Sequence, residues 1–290
     1  MERLHLAWLL LLLAGLGTVR ADPATICSLA ACSCAEAEVV CRGEATGSLQ
    51  LGRASLAPDT YSLTVTDFGS VEVEPGTFGG SSSLSVIKFK MITKMKLGKF
   101  VFSEEESDAF LESFEMENIN ELELEEESFD NAPQCNKATL ELVTMREVPS
   151  GGIKLHADTM VIRDCNFGTL NKESIYSDSM NFFFLSNSVG HVKTHGFSGS
   201  NNIFNFSNNY IEKMESNAIS VAFLTGDISR WAGLGLAGLA GLGSFIKRCD
   251  FISLCSFVHV AATHSSPTPA LRSGISQMQT VNGKLKKIDI

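Results

Sequence analysis

Apolar residues along this chain recur neither every 3.6 positions, as on a helix, nor in plain alternation, but at a longer fixed interval. Phe182, Phe184, Asn187, Val189, Val192 and Phe197 return 22 positions later as Phe204, Phe206, Asn209, Ile211, Met214 and Ile219. Stepping back by 22 gives Met160, Ile162, Cys165, Phe167, Leu170 and Ile175, and then Ala138, Leu140, Val143, Met145, Val148 and Ile153. Farther upstream, Ile87, Phe89, Ile92, Met95 and Leu97 reappear 27 positions on as Phe114, Met116, Ile119, Leu122 and Leu124. The earliest set is Leu63, Val65, Phe68, Val71, Val73 and Phe78. Coil starts at 63, 87, 114, 140, 162, 184 and 206 define about seven coils of 22–27 residues over residues 61–220.

The first two apolar residues of each coil stand two apart, as in a short strand with one buried face. A coil of this size cannot enclose its own apolar face, so it is stable only when stacked on its neighbours. The predicted fold is a β-rich solenoid of short parallel strands, with the Phe or Ile near each coil end forming an internal column. Charges support the stacking. Lys88, Lys90, Lys94, Lys96 and Lys99 align by 27 residues with Glu115, Glu117, Glu121, Glu123 and Glu126. Aligned residues of parallel strands are neighbours, and opposite charges there are mildly favourable.

The segments Phe182-x-Phe184-x-x-Asn187-x-Val189-x-x-Val192 and Phe204-x-Phe206-x-x-Asn209-x-Ile211-x-x-Met214 resemble the core of extracellular leucine-rich repeats. Met160-x-Ile162-x-x-Cys165-x-Phe167-x-x-Leu170 fits as well, with Cys where the family permits it. Endings such as Thr77-Phe78, Ser128-Phe129 and Gly196-Phe197 are similar to the family's, and an early cysteine cluster is similar to its N-terminal cap. The resemblance implies an extracellular, protein-binding solenoid. Two departures keep an irregular right-handed parallel β-helix open as the alternative. The family's first leucine is replaced by Ser82, Ala109, Cys135, Ala157, Ser179 and Asn201, and its asparagine by Thr66, Lys90, Glu117 and Val143.

Composition sets the remaining bounds. The 290 residues carry a formal charge of −10, which excludes the basic surface that nucleic acid binding requires. Arg3, the apolar run from Leu4 to Gly15 and the small-residue site ending at Ala21 mark residues 1–21 as a secretory signal peptide. The mature chain then enters an oxidising compartment, where Cys27, Cys32, Cys34 and Cys41 are expected to form two local disulfides within a cap over residues 22–60. Three pairings are open, and the absence of C-x2-C knuckles argues against zinc. Asn205-Phe206-Ser207 is the single N-x-S/T sequon, and Asn205 should point outward, open to glycosylation.

After residue 220 the frame is lost. Residues 221–290 read as a C-terminal cap or tail, in which the apolar run 231–246 is a short candidate membrane segment.

No catalytic constellation, metal site or cofactor motif emerges. His191 and His195 are four apart without a zincin glutamate, and the acidic stretch from Glu104 to Asp130 lacks a calcium loop. The chain therefore reads as a secreted, non-enzymatic binding module for an extracellular protein or glycan, or as its single-pass cell-surface equivalent. The outward positions Lys88, Lys90, Glu115, Glu117, Glu141, Arg163 and Phe183 form the candidate interaction surface. The alternatives are a β-helix enzyme acting on polysaccharide and a structural matrix component.

Overall fold

A computed structural model of the chain describes residues 26–53, 55–102, 110–227, 276–281 and 284–289. The described residues from Ile26 to Asp227 form a β-solenoid of about eight coils, in which strands pair in parallel with the coil before and the coil after. The only helical element among the described residues is the 3-10 turn Ile26–Ser28. Ser276–Val281 and Lys284–Asp289 form a separate antiparallel hairpin. The proposed signal peptide, the run 231–246, Cys249 and Cys255 lie outside the described residues, among which no helix is long and apolar enough to cross a membrane.

Each coil turns through up to three flat faces. In the sixth, residues 153–157 form face 1, residues 159–163 face 2, and Asn166–Leu170 face 3. The leucine-rich repeat implied by the resemblance has one strand and a helical or 3-10 segment per unit, whereas these coils carry strand on two or three sides. Alternation sends Met160 and Ile162 inward while Val161 and Arg163 face out.

Two corners per coil are made by residues with positive φ, stacked in register. One column is Asp67, Met91, Asn118, Leu142, Asp164, Ser186 and Asn208; the other is Gly76, Phe100, Glu127, Gly151, Glu173, His195 and Asn217. Such a conformation costs a non-glycine residue roughly 1 kcal/mol. It is held here by bonds to the neighbouring coil, such as Glu173 N–H to the His195 carbonyl and His195 N–H to that of Asn217.

The register corrects four coil starts by the same two residues. Phe114 pairs with Ala138, Ala138 with Met160, Met160 with Phe182 and Phe182 with Phe204, so the coils placed at 140, 162, 184 and 206 start at 138, 160, 182 and 204. The spacing after 114 is then 24, and the terminal column becomes Phe78, Phe102, Phe129, Ile153, Ile175, Phe197 and Ile219, always 15 residues after the coil start. The asparagine column shifts with it. In the early coils it holds Phe68, Ile92, Ile119 and Val143, all buried, in place of Thr66, Lys90 and Glu117.

At the N-terminus, Cys32–Ala35 and Glu38–Arg42 form an antiparallel hairpin whose two-residue turn, Glu36-Ala37, has both φ values positive. Disulfides Cys27–Cys34 and Cys32–Cys41 staple it, which settles the pairing. Such bonds persist in oxidising compartments. Glu38–Arg42 also pairs in parallel with Ser62–Thr66, and Ser48–Leu51 with Ser70–Val73, so the first coil already lies within the range assigned to the cap.

Candidate interaction surface

The outward positions chosen from the sequence share face 2, in two adjacent columns. One runs Lys88, Glu115, Thr139, Val161, Phe183 and Asn205; the other runs Lys90, Glu117, Glu141, Arg163 and Leu185. The lysines and glutamates neutralise one another. Lys90 Nζ stands 2.7 Å from Glu117 and 3.6 Å from Glu115, Lys88 stands 3.6 Å from Glu115, and Arg163 pairs with Glu141.

On face 3 the lysines reach one step beyond their aligned partners. Lys94 bonds Glu123 at 2.9 Å and Lys96 bonds Glu125 at 3.0 Å, and at the following corner Lys99 bonds Glu127 at 2.7 Å. Their hydrogen bonds to carboxylates raise the pKa values of Lys90, Lys94, Lys96 and Lys99 above the ordinary lysine range. Half-exposed pairs of this kind contribute about 0.2–1 kcal/mol each.

Higher on face 2 the chemistry changes. Val161, Phe183, Leu185 and Ile203 lie on three adjacent strands, and register makes them a contiguous apolar stripe bordered by Arg163 and Asn205. Ile203 is 40% exposed and the other three are half-buried. Only Phe183 was singled out from the sequence. The signal for the rest was there, because Met160-Val161-Ile162 and Phe182 to Leu185 are unbroken apolar runs where a half-solvated strand should alternate. Asn205 sits half-buried at mid-strand beside Phe183, and Ser207 of the sequon is buried.

Face 1 holds a cleft of about 470 Å³ that sequence reasoning missed. His156 pairs in register with Asp178, its Nδ1 3.7 Å from the carboxylate, and Asp158 lines the same cleft with Gln134, Ser200 and Asn202. The column order His156, Asp178, Ser200 puts the carboxylate between the other two. A nucleophilic triad needs the imidazole in that place, against the hydroxyl. Beneath the cleft, the Ser177 hydroxyl donates to Asn201 Oδ1 at 2.9 Å and accepts from the Ser179 hydroxyl at 2.8 Å.

His191 and His195 do not form a joint site. His191 faces Glu215 across face 3 at 3.1 Å, whereas His195 turns a corner. Glu215 accepts hydrogen bonds from the Thr194 backbone and hydroxyl, which hold its carboxyl below the ordinary range. Cys135 and Cys165 are buried and unpaired, and burial pushes their thiols up to about 11 and about 12. No group of three metal-ligating side chains is present among the described residues. The chain matches no family model, no curated protein and no solved structure.

Proposed function

We propose that the protein is an extracellular or cell-surface binding module that engages another protein through face 2. The observation that supports this reading is the apolar stripe Val161, Phe183, Leu185 and Ile203 on a flat surface whose charges are otherwise paired. A half-buried aromatic residue with aliphatic neighbours and a polar rim is the composition of a binding hot spot. The test is to titrate the tagged, secreted full-length chain onto cultured cells. Saturable binding should be lost in Phe183→Asp with the urea unfolding midpoint unchanged. Non-saturable binding, or full binding by the folded Phe183→Asp protein, would point to a matrix component.

A second reading, hydrolysis or cleavage of a polysaccharide, is favoured by one feature: Asp158 and Asp178 share the face 1 cleft with His156. Turnover of acidic and neutral glycans by the wild type, abolished in Asp178→Asn, would establish it.

A further inference from the structure

The two halves of the solenoid do not join on face 3. Counting from the first positive-φ corner, coils 2–4 turn inward the residues at +1, +4 and +6: Phe68, Val71 and Val73; Ile92, Met95 and Leu97; Ile119, Leu122 and the partly buried Leu124. Coils 5–8 bury those at +1, +3 and +6, as in Val143, Met145 and Val148, or Cys165, Phe167 and Leu170. One residue of slip turns a strand's outward groups inward, so the two patterns cannot share a ladder.

The register shows the result. Residues 121–124 pair with coil 3, and residues 144–148 pair with coil 6, but the ladder between these neighbouring coils ends at Ile119 and Val143. Each segment thus presents one strand edge without a ladder partner. Between them lies a cleft of about 510 Å³. It is closed at both ends, by the Ile119–Val143 pairing and by the corner where Gly151 packs on Glu127. Its walls carry Glu121, Glu123, Glu125, Glu126 and Glu147, against Lys96 and Arg146.

We propose that this seam docks an extended basic segment of a protein partner. Unpaired strand edges are templates for main-chain hydrogen bonds. With Lys94 bonded to Glu123 from beside the cleft, an excess of two carboxylates remains to select positively charged side chains, and a guanidinium can donate to carboxylates and carbonyls together. Because the ends are closed, the segment lies along the seam and is not intercalated as a new strand. The acidic lining alone would be an ordinary solvated face; the broken ladder supplies the backbone groups that a docked segment needs.

The test uses the full-length chain and a fluorescein-labelled (Arg-Thr)4 peptide, with (Glu-Thr)4 as its counterpart. Anisotropy should show saturable binding of the arginine peptide only. Glu123→Gln/Glu126→Gln should weaken it about tenfold, while Glu44→Gln/Asp59→Asn, an equal change of charge near the N-terminal cap, should leave it unchanged. Hydrogen exchange should slow at residues 121–124 and 144–148 when the peptide is bound. Three results overturn the proposal: no saturation, equal weakening by both double variants, or protection confined to other strands. Cell binding through face 2 is a separate readout, so either site can fail while the other stands.

Discussion

Coils 2–4 and coils 6–8 distribute their polar interactions in opposite ways. The early coils are apolar at the position after the first corner, with Phe68, Ile92 and Ile119 inside, and place lysine–glutamate pairs outside. The last two coils bring amides into the same column, where coil 6 holds Cys165. Asn209 Oδ1 accepts from Asn187 N–H at 2.8 Å, Asn209 Nδ2 donates to the Phe184 carbonyl at 2.8 Å, and Asn187 repeats the pattern toward Cys165 and Ile162. Coil length follows the same division. The late coils all take 22 residues, whereas the early ones take 24 or 27.

The physical link is reach. A buried amide bonds at under 3.2 Å or loses its desolvation cost outright, so it tolerates no drift in register. A lysine on a four-carbon stem can find a carboxylate two residues away, as Lys94 and Lys96 do. Stacked aromatic rings impose a similar discipline: Phe184 lies 4.8 Å from Phe206, and Phe182 lies 5.4 Å from Phe204, both nearly parallel.

The contrast predicts a ranking of losses. Phe184→Ala should cost most, about 3–5 kcal/mol in urea unfolding, because the ring is fully buried against Phe167, Phe197 and Phe206. Asn209→Ala should follow at about 1–3 kcal/mol, since it strands the Asn187 N–H and the Phe184 carbonyl. Putting the amide into the other half, as Ile119→Asn, should destabilise too. A gain in stability there would sink the idea that the early column excludes polar groups.

Lys90→Ala should cost about 0.2–1 kcal/mol, and the difference should shrink in 1 M salt because the pair is half-exposed. The smallest effect belongs to Glu215, whose pKa is depressed in the folded chain. Its contribution is present above the ordinary carboxylate pKa and is lost as pH falls through the folded value. Glu215→Gln should therefore lower the melting temperature slightly at neutral pH and leave it unchanged below the folded pKa, which flattens the acid limb of the profile.

Much of this was legible in the sequence, because burial dictates composition at the inward positions. The 22-residue columns, the parallel stacking and the lysine–glutamate adjacency all follow from residues that had to be apolar or had to face water. Three things were not. The corners are taken by Met91, Phe100, Leu142 and other residues with no glycine signature, since hydrogen bonds from adjacent coils impose their conformation.

The change from +4 to +3 inside face 3 hid in the alignment as an apparent coil start at 140. Matching Met145 and Val148 to the spacing of Phe68 and Val71 forced the frame two residues late. The 22-residue separation of His156 and Asp178 does announce that stacking puts them side by side, but nothing in the spacing announces that a cleft lies there.

The stapled hairpin at the N-terminus has a meaning for polymerisation. Most strands in the stack lend a parallel edge to the next, and a structure built this way has no intrinsic reason to stop at one molecule. Cys32–Ala35 runs the opposite way and occupies the edge that Glu38–Arg42 would otherwise offer. The two disulfides hold that covering strand in place, which makes them guards of solubility as much as of local stability.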